Sequence, residues 1–178
     1  MRNKEPIQTK QTFIGCYCNY SGFSAVLLDK LVHDEDYIRF ETAEKRWTVS
    51  KLVKGEPSFD LIEKELLAMK TESKYVGSIL INKGFKFLDN VVSYKLSFRE
   101  IEVDSISENF GSSSANADIF SLIALVQDKK LAFTKQASPL IEEIKFYNPA
   151  NHSNDLSALM IAIKTIPSKS FVNHLLTS

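Results

Sequence analysis

At 178 residues, with 44% apolar and 25% charged side chains, the chain has the composition of a folded globular protein and not of a disordered one. Its 22 basic residues are balanced by 22 acidic ones. The basic excess that usually accompanies phosphate neutralisation is therefore missing, and nucleic acid is disfavoured as a partner.

No apolar run approaches the ~20 residues that cross a bilayer, so a membrane is excluded as a partner. Residues 1–11 are polar and lack the apolar segment of a secretory signal. They are expected to form a flexible tail ahead of one domain over residues 12–178, with the cytoplasm as the default compartment.

Phe13 to Tyr20 reads as a strand, with Ile14, Cys16, Cys18 and Tyr20 on one face and turn chemistry at Ser21-Gly22. Cys16 and Cys18 are the only cysteines. Two apart on a strand, they would be strained as a disulfide, and buried free thiols are expected. Phe23 to Val32 fits either a buried strand or a helical stripe; its first half is assigned to strand. After the polar break His33–Asp36, Tyr37–Thr42 and Arg46–Val53 resemble the arms of a hairpin, with Trp47 and Val49 alternating against Thr48 and Ser50.

Ser58 to Lys70 has the signals of a helix. Ser58 can cap its first turn, Asp60 sits near the positive end of the dipole, and Phe59, Ile62, Leu66 and Met69 form one stripe. Tyr75–Ile81 is strand-like, followed by a turn at Asn82-Lys83-Gly84, a short strand Phe85–Leu88 and a second turn at Asp89-Asn90. Between Val91 and Ile106 the apolar phase changes from Val92, Tyr94, Leu96 and Phe98 to Ile101 and Val103. That slip predicts a β-bulge near Arg99-Glu100.

Glu108–Ala117, rich in Ser, Gly and Asn, reads as a loop. Ile119–Val126, apolar on both faces, is expected to be a central strand, and Leu131–Lys135 follows a turn. Ser138-Pro139 opens a short helix to about Phe146. Asn154 or Asp155 caps a second, carrying Leu156, Leu159, Met160 and Ile163, and Ser168 caps a third. The strand and helix order lacks the alternation of parallel α/β folds. The expected fold is α+β: a curved antiparallel sheet packed with three to four helices, two of them C-terminal.

Three constellations carry chemical content. Glu100, Glu102 and Asp104 alternate on one strand face and could dock a basic partner or hold a divalent metal. Asp128, Glu143 and Lys145 have the residue types of a metal-dependent nuclease of the Asp…Glu-x-Lys class, which the chain resembles in that triplet only. His33, His152 and His174 are scattered and lack the paired spacing of a zinc site. Phosphate-binding glycine loops and the serine-hydrolase elbow are missing, so no cofactor is expected.

These features favour a non-catalytic protein-binding module, of the kind of an inhibitor, immunity protein or adaptor. Its surface would be Glu100, Glu102, Asp104, Glu108 and Asn109, meeting a basic protein, with no metal and no catalytic residue assigned. The alternative is a metal-dependent hydrolase or nuclease using clustered carboxylates.

Overall fold

The computed structural model describes residues 8–33, 47–72, 76–82, 103–106, 113–128, 130–148 and 153–164. Its frame is a β1–β2 hairpin, β1 being Gln8–Asn19 and β2 Gly22–His33, paired antiparallel from Gln8↔His33 to Asn19↔Gly22. The hairpin closes through Tyr20-Ser21. The Asn19 carboxamide oxygen accepts from the Ser21 amide at 2.9 Å and from its hydroxyl at 2.7 Å, a side-chain mimic of a backbone turn. Gly22 completes the turn at φ +154°, where a Cβ would stand 2.6 Å from the Gly55 carbonyl oxygen.

β3, Trp47–Gly55, pairs antiparallel with β2. Its register slips where Leu27 pairs with Lys51 but Leu28 pairs with Val49, leaving Ser50 as the extra residue of a bulge. The bulge has a use. The Ser50 hydroxyl donates to the buried Asp29 carboxylate, whose other oxygen accepts from Thr12 Oγ1 at 2.7 Å. A buried carboxylate is thus satisfied by two hydroxyls from the neighbouring strands.

The rest of the sheet is parallel. Helix α1, Phe59–Glu72, carries the chain from β3 to β4, Val76–Asn82, which pairs parallel with β1; β5, Val103–Ile106, pairs parallel with β4. Parallel neighbours need a crossover, and α1 supplies it. Ser58 caps α1 through Leu61 N–H at 3.5 Å, as its sequence signal predicts. On the far edge β6, Leu131–Phe133, lies parallel to β3, giving the order β5-β4-β1-β2-β3-β6. The sheet is mixed, which corrects the antiparallel expectation: strand-helix alternation is confined to part of the chain and sequence spacing does not show it.

Two apolar layers sandwich the sheet. On one face Ile62, Leu66 and Met69 of α1 meet Ile14, Cys16, Phe23, Leu27, Ile79 and Ile81. On the other face lie α2, Ser113–Gln127, α3, Pro139–Lys145, and α4, Asn154–Lys164. Because β2 is covered on both sides, Phe23 and Leu27 serve one layer while Val26 and Leu28 serve the other. Its apolar run is therefore continuous, which explains why periodicity alone could not classify it.

α2 replaces the strand expected at Ile119–Val126, and its first turns take up Ser113–Ala117 of the expected loop. Ile119 and Leu122 are buried three apart while Phe120 is 69% exposed, the signature of a helix lying on a core. Ser138 does not cap α3; its hydroxyl donates back to the Lys135 carbonyl at 2.9 Å. Gln8–Gln11, assigned to a tail, belong to β1. The proposed bulge at Arg99-Glu100 and the helix after Ser168 lie outside the described residues.

α4 is apolar nearly all round, with Asp155 to Ala162 buried, so it sits centrally. It approaches the sheet over Gly15, where a Cβ would lie 2.3 Å from the Ala162 amide nitrogen and 2.4 Å from the Ala158 carbonyl oxygen. Both obstacles are backbone. Gly15→Ala is therefore expected to cost at least the 1–3 kcal/mol typical of overpacking, measured as a lowered urea midpoint.

Cys16 and Cys18 are free and buried. Burial, with Cys18 beside it, raises the Cys16 thiol, and burial pushes Cys18 up to about 12. The fold holds both as thiols, whereas an unfolded chain ionises them from about pH 8.5. Stability should therefore fall as pH rises from about 8.5 toward 12. Urea unfolding at pH 8 and pH 10 checks this, the fall being smaller in Cys16→Ala/Cys18→Ala.

Candidate functional site

Open sheets with parallel strands offer a crevice at the carboxyl ends of those strands. Here β1, β3 and β4 run parallel, and α4 begins at the same end. Asn19 and Cys18 finish β1, Asn82 finishes β4, Lys54 is the penultimate residue of β3, and Asn154 and Asp155 open α4.

Asn82 is 2% exposed, and its carboxamide grips the end of β1: its oxygen accepts from Cys18 N–H at 2.8 Å and its nitrogen donates to the Cys18 carbonyl at 3.0 Å. The side chain continues the β1–β4 ladder one step past its last backbone pair, Cys16↔Ile81. Asn19 and Asn154 form a reciprocal pair, Asn19 Nδ2 donating at 2.9 Å and Asn154 Nδ2 returning a bond at 3.1 Å. Asn154 Nδ2 also reaches the Gly22 carbonyl at 3.2 Å. The amide pair ties the hairpin turn to the start of α4.

Asp155, in the first turn of α4, is buried. One oxygen accepts from the Ser24 hydroxyl and the other from Lys54 Nζ at 3.1 Å. Ser24 and Lys54 are paired across β2 and β3, so the register itself presents both donors to the carboxylate. Lys54 remains 68% exposed, with its ammonium at the rim. The α4 cap is Ser153, whose hydroxyl accepts from Leu156 N–H at 3.1 Å and donates to Glu143. This corrects the expectation that Asn154 or Asp155 caps the helix. Tyr17, close to Asn19, has its phenol raised by burial, lowered in part by its hydrogen bond to Asn19 and raised by Cys18. At the turn tip Tyr20 is 88% exposed.

Of the residues proposed from sequence, Glu100, Glu102, Glu108 and Asn109 lie outside the described residues. Asp104 is on β5, its Cα in register with Leu80. Each member of the triplet Asp128, Glu143 and Lys145 has a partner outside it. Asp128 lies 3.9 Å from Lys130, Lys145 donates to Glu142 at 2.8 Å, and Glu143 serves Ser153. The residues that do converge were read locally, Asn82 as a turn residue and Asn154 and Asp155 as caps. A polar residue closing each apolar run was the only signal available.

A divalent cation in a phosphodiester-cleaving centre is held by several carboxylates. Among the described residues no group of three or more His, Cys, Asp or Glu could hold a metal. At this site three carboxamides accompany one carboxylate, and that carboxylate already faces a lysine. The described residues do not fit a metal centre.

The architecture defines a class first: a mixed sheet with a central antiparallel hairpin, parallel outer strands and helices on both faces. It is similar to the crystal structure of the yeast mitochondrial Holliday junction resolvase Ydc2, with a TM-score of 0.50 and 12% identity, over 84% of this chain and 76% of that one. At this identity the likeness speaks for the fold. No family model and no curated protein matches the sequence.

The likeness overturns the reading of the chain as a non-catalytic inhibitor, immunity protein or adaptor bound to a basic protein. It equally overturns the reading of nucleic acid as an unlikely partner. The first rested on absent motifs and the acidic row at Glu100, Glu102 and Asp104, the second on bulk charge, and none of these reports the fold. No helix among the described residues is long and apolar enough to cross a membrane.

The two-way bond from Asn82 to Cys18 needs one acceptor and one donor on a single side chain. Asn82→Asp loses the donor and sets a carboxylate oxygen against the Cys18 carbonyl. A loss of about 1–3 kcal/mol is expected in urea unfolding, the cost of a buried unsatisfied group, whereas Asn154→Asp should cost less at its partly exposed position.

Proposed function

We propose that this chain engages nucleic acid, as a protein of nuclease-like fold that takes hold of branched DNA at the carboxyl end of β1 and the start of α4. The observation carrying the reading is the likeness in fold to a Holliday junction resolvase over most of the chain. Fold alone does not assign function, so the reading also needs a site that can do the work.

The chemistry at this end suits the task. Lys54 offers an exposed ammonium to a phosphate. Tyr20 projects an exposed ring from the hairpin tip, suited to stacking on a base unpaired at a branch point. Sequence-independent attraction should be weak, because the chain has no net charge. Branch geometry, and not backbone charge, would then set the affinity.

Fluorescence anisotropy with a four-way junction, a linear duplex and a single strand of matched sequence checks this. The junction should bind at least about tenfold more tightly than the duplex. Tyr20→Ala should weaken junction binding about tenfold, in line with 1–3 kcal/mol per stacked base. No binding to any of the three at micromolar protein would refute the proposal.

A further inference from the structure

We infer that this centre holds nucleic acid without a divalent cation and leaves the phosphodiester intact, so that the chain is a cation-independent branch-binding protein on a nuclease fold. The inference rests on the nucleic-acid reading above and adds what the site does with its ligand.

The argument comes from the donor set. A magnesium site requires oxygen ligands with net negative charge and free lone pairs in octahedral array. Each carboxamide oxygen here already accepts at least one hydrogen bond. Asn19 Oδ1 accepts from Asn154, from the Ser21 amide and from the Ser21 hydroxyl; Asn154 Oδ1 accepts from Asn19; Asn82 Oδ1 accepts from Cys18 N–H. Using Asn19 Oδ1, which already accepts three bonds, as a metal ligand would break a bond that shapes the site.

Asp155 is the one carboxylate among these side chains, and both its oxygens accept, one from the Lys54 ammonium. The formal charge of the Asp155–Lys54 pair is zero. A cation entering there would meet an ammonium instead of a second carboxylate.

The amides are also positively required. Asn82 donates and accepts with one backbone residue, and Asn19 and Asn154 each donate and accept with the other. Carboxylates at these positions could only accept, and two facing carboxylates would repel. Thus the geometry is specific to carboxamides. What the rim offers outward is the exposed Lys54 ammonium, suited to an anionic phosphate in the ground state. It supplies no cation to polarise the phosphate or to generate a nucleophile from water.

Two measurements decide the matter. Manganese is titrated calorimetrically into the full chain alone and into Asp155→Asn, the fold of each being checked by circular dichroism. Anisotropy with the end-labelled junction is run in EDTA and in magnesium, and the same samples are resolved on denaturing gels. We expect no manganese site tighter than about 1 mM, junction affinities in EDTA and magnesium within about threefold, and intact strands.

A sub-millimolar manganese site in the wild-type chain would overturn the inference even if Asp155→Asn failed to fold. So would junction binding that needs magnesium, or cleavage reduced at least about tenfold in Asp155→Asn. In these cases the nucleic-acid reading would stand. Absence of junction binding in both buffers would instead remove that reading and this inference together.

Discussion

The seating of α4 against β1 is the contact on which the rest of the structure depends. A helix can lie this close to a strand only where the strand has no side chain, and Gly15 provides that gap beneath Ala158 and Ala162. The close approach brings the first turn of α4 level with the ends of β1 and β2. Asn154 then meets Asn19 and the Gly22 carbonyl, while Asp155 meets Ser24 and Lys54. Without that spacing the polar groups would sit at one end of the molecule but not within bonding reach.

The candidate site is held together by groups that both donate and accept. Burial is tolerated, because each carboxamide finds partners of both kinds and little polar capacity is left unsatisfied. Among the described residues the site also has a single carboxylate, where phosphodiester chemistry that recruits a cation uses several. Its one buried carboxylate is balanced by a lysine whose ammonium stays at the rim. Among the described residues this end of the fold presents one carboxylate–lysine pair and hydrogen-bonding amides.

Parts of this were legible in the residues themselves. Ser58, Asp60 and the Phe59–Ile62–Leu66–Met69 stripe announced α1, and Pro139 announced α3, because caps and amphipathic spacing are local properties. Trp47 and Val49 alternated as a half-buried strand should. Ile119–Val126 misled, since an apolar run of eight fits a doubly covered strand as well as a helix. What settles it is the sheet beneath Ile119 and Leu122, which local pattern does not contain. The acidic row at Glu100, Glu102 and Asp104 drew notice because like charges on alternate residues are conspicuous. Asn19, Asn82 and Asn154 drew none, because an asparagine at the end of a strand or the start of a helix is what turns and caps ordinarily use.

By itself, then, the sequence determined the elements whose causes lie within a few residues: the first strand and the turn chemistry after it, the helix capped by Ser58, and the buried free thiols. The parallel addition of β4 and β5, and the meeting of residues 19, 24, 54, 82, 154 and 155, were decided by tertiary structure alone. The reason is one of range. Hydrogen-bond periodicity and capping act over one or two turns of chain, whereas strand order and the partners of a carboxamide 135 residues away along the chain follow from which apolar faces must cover one another.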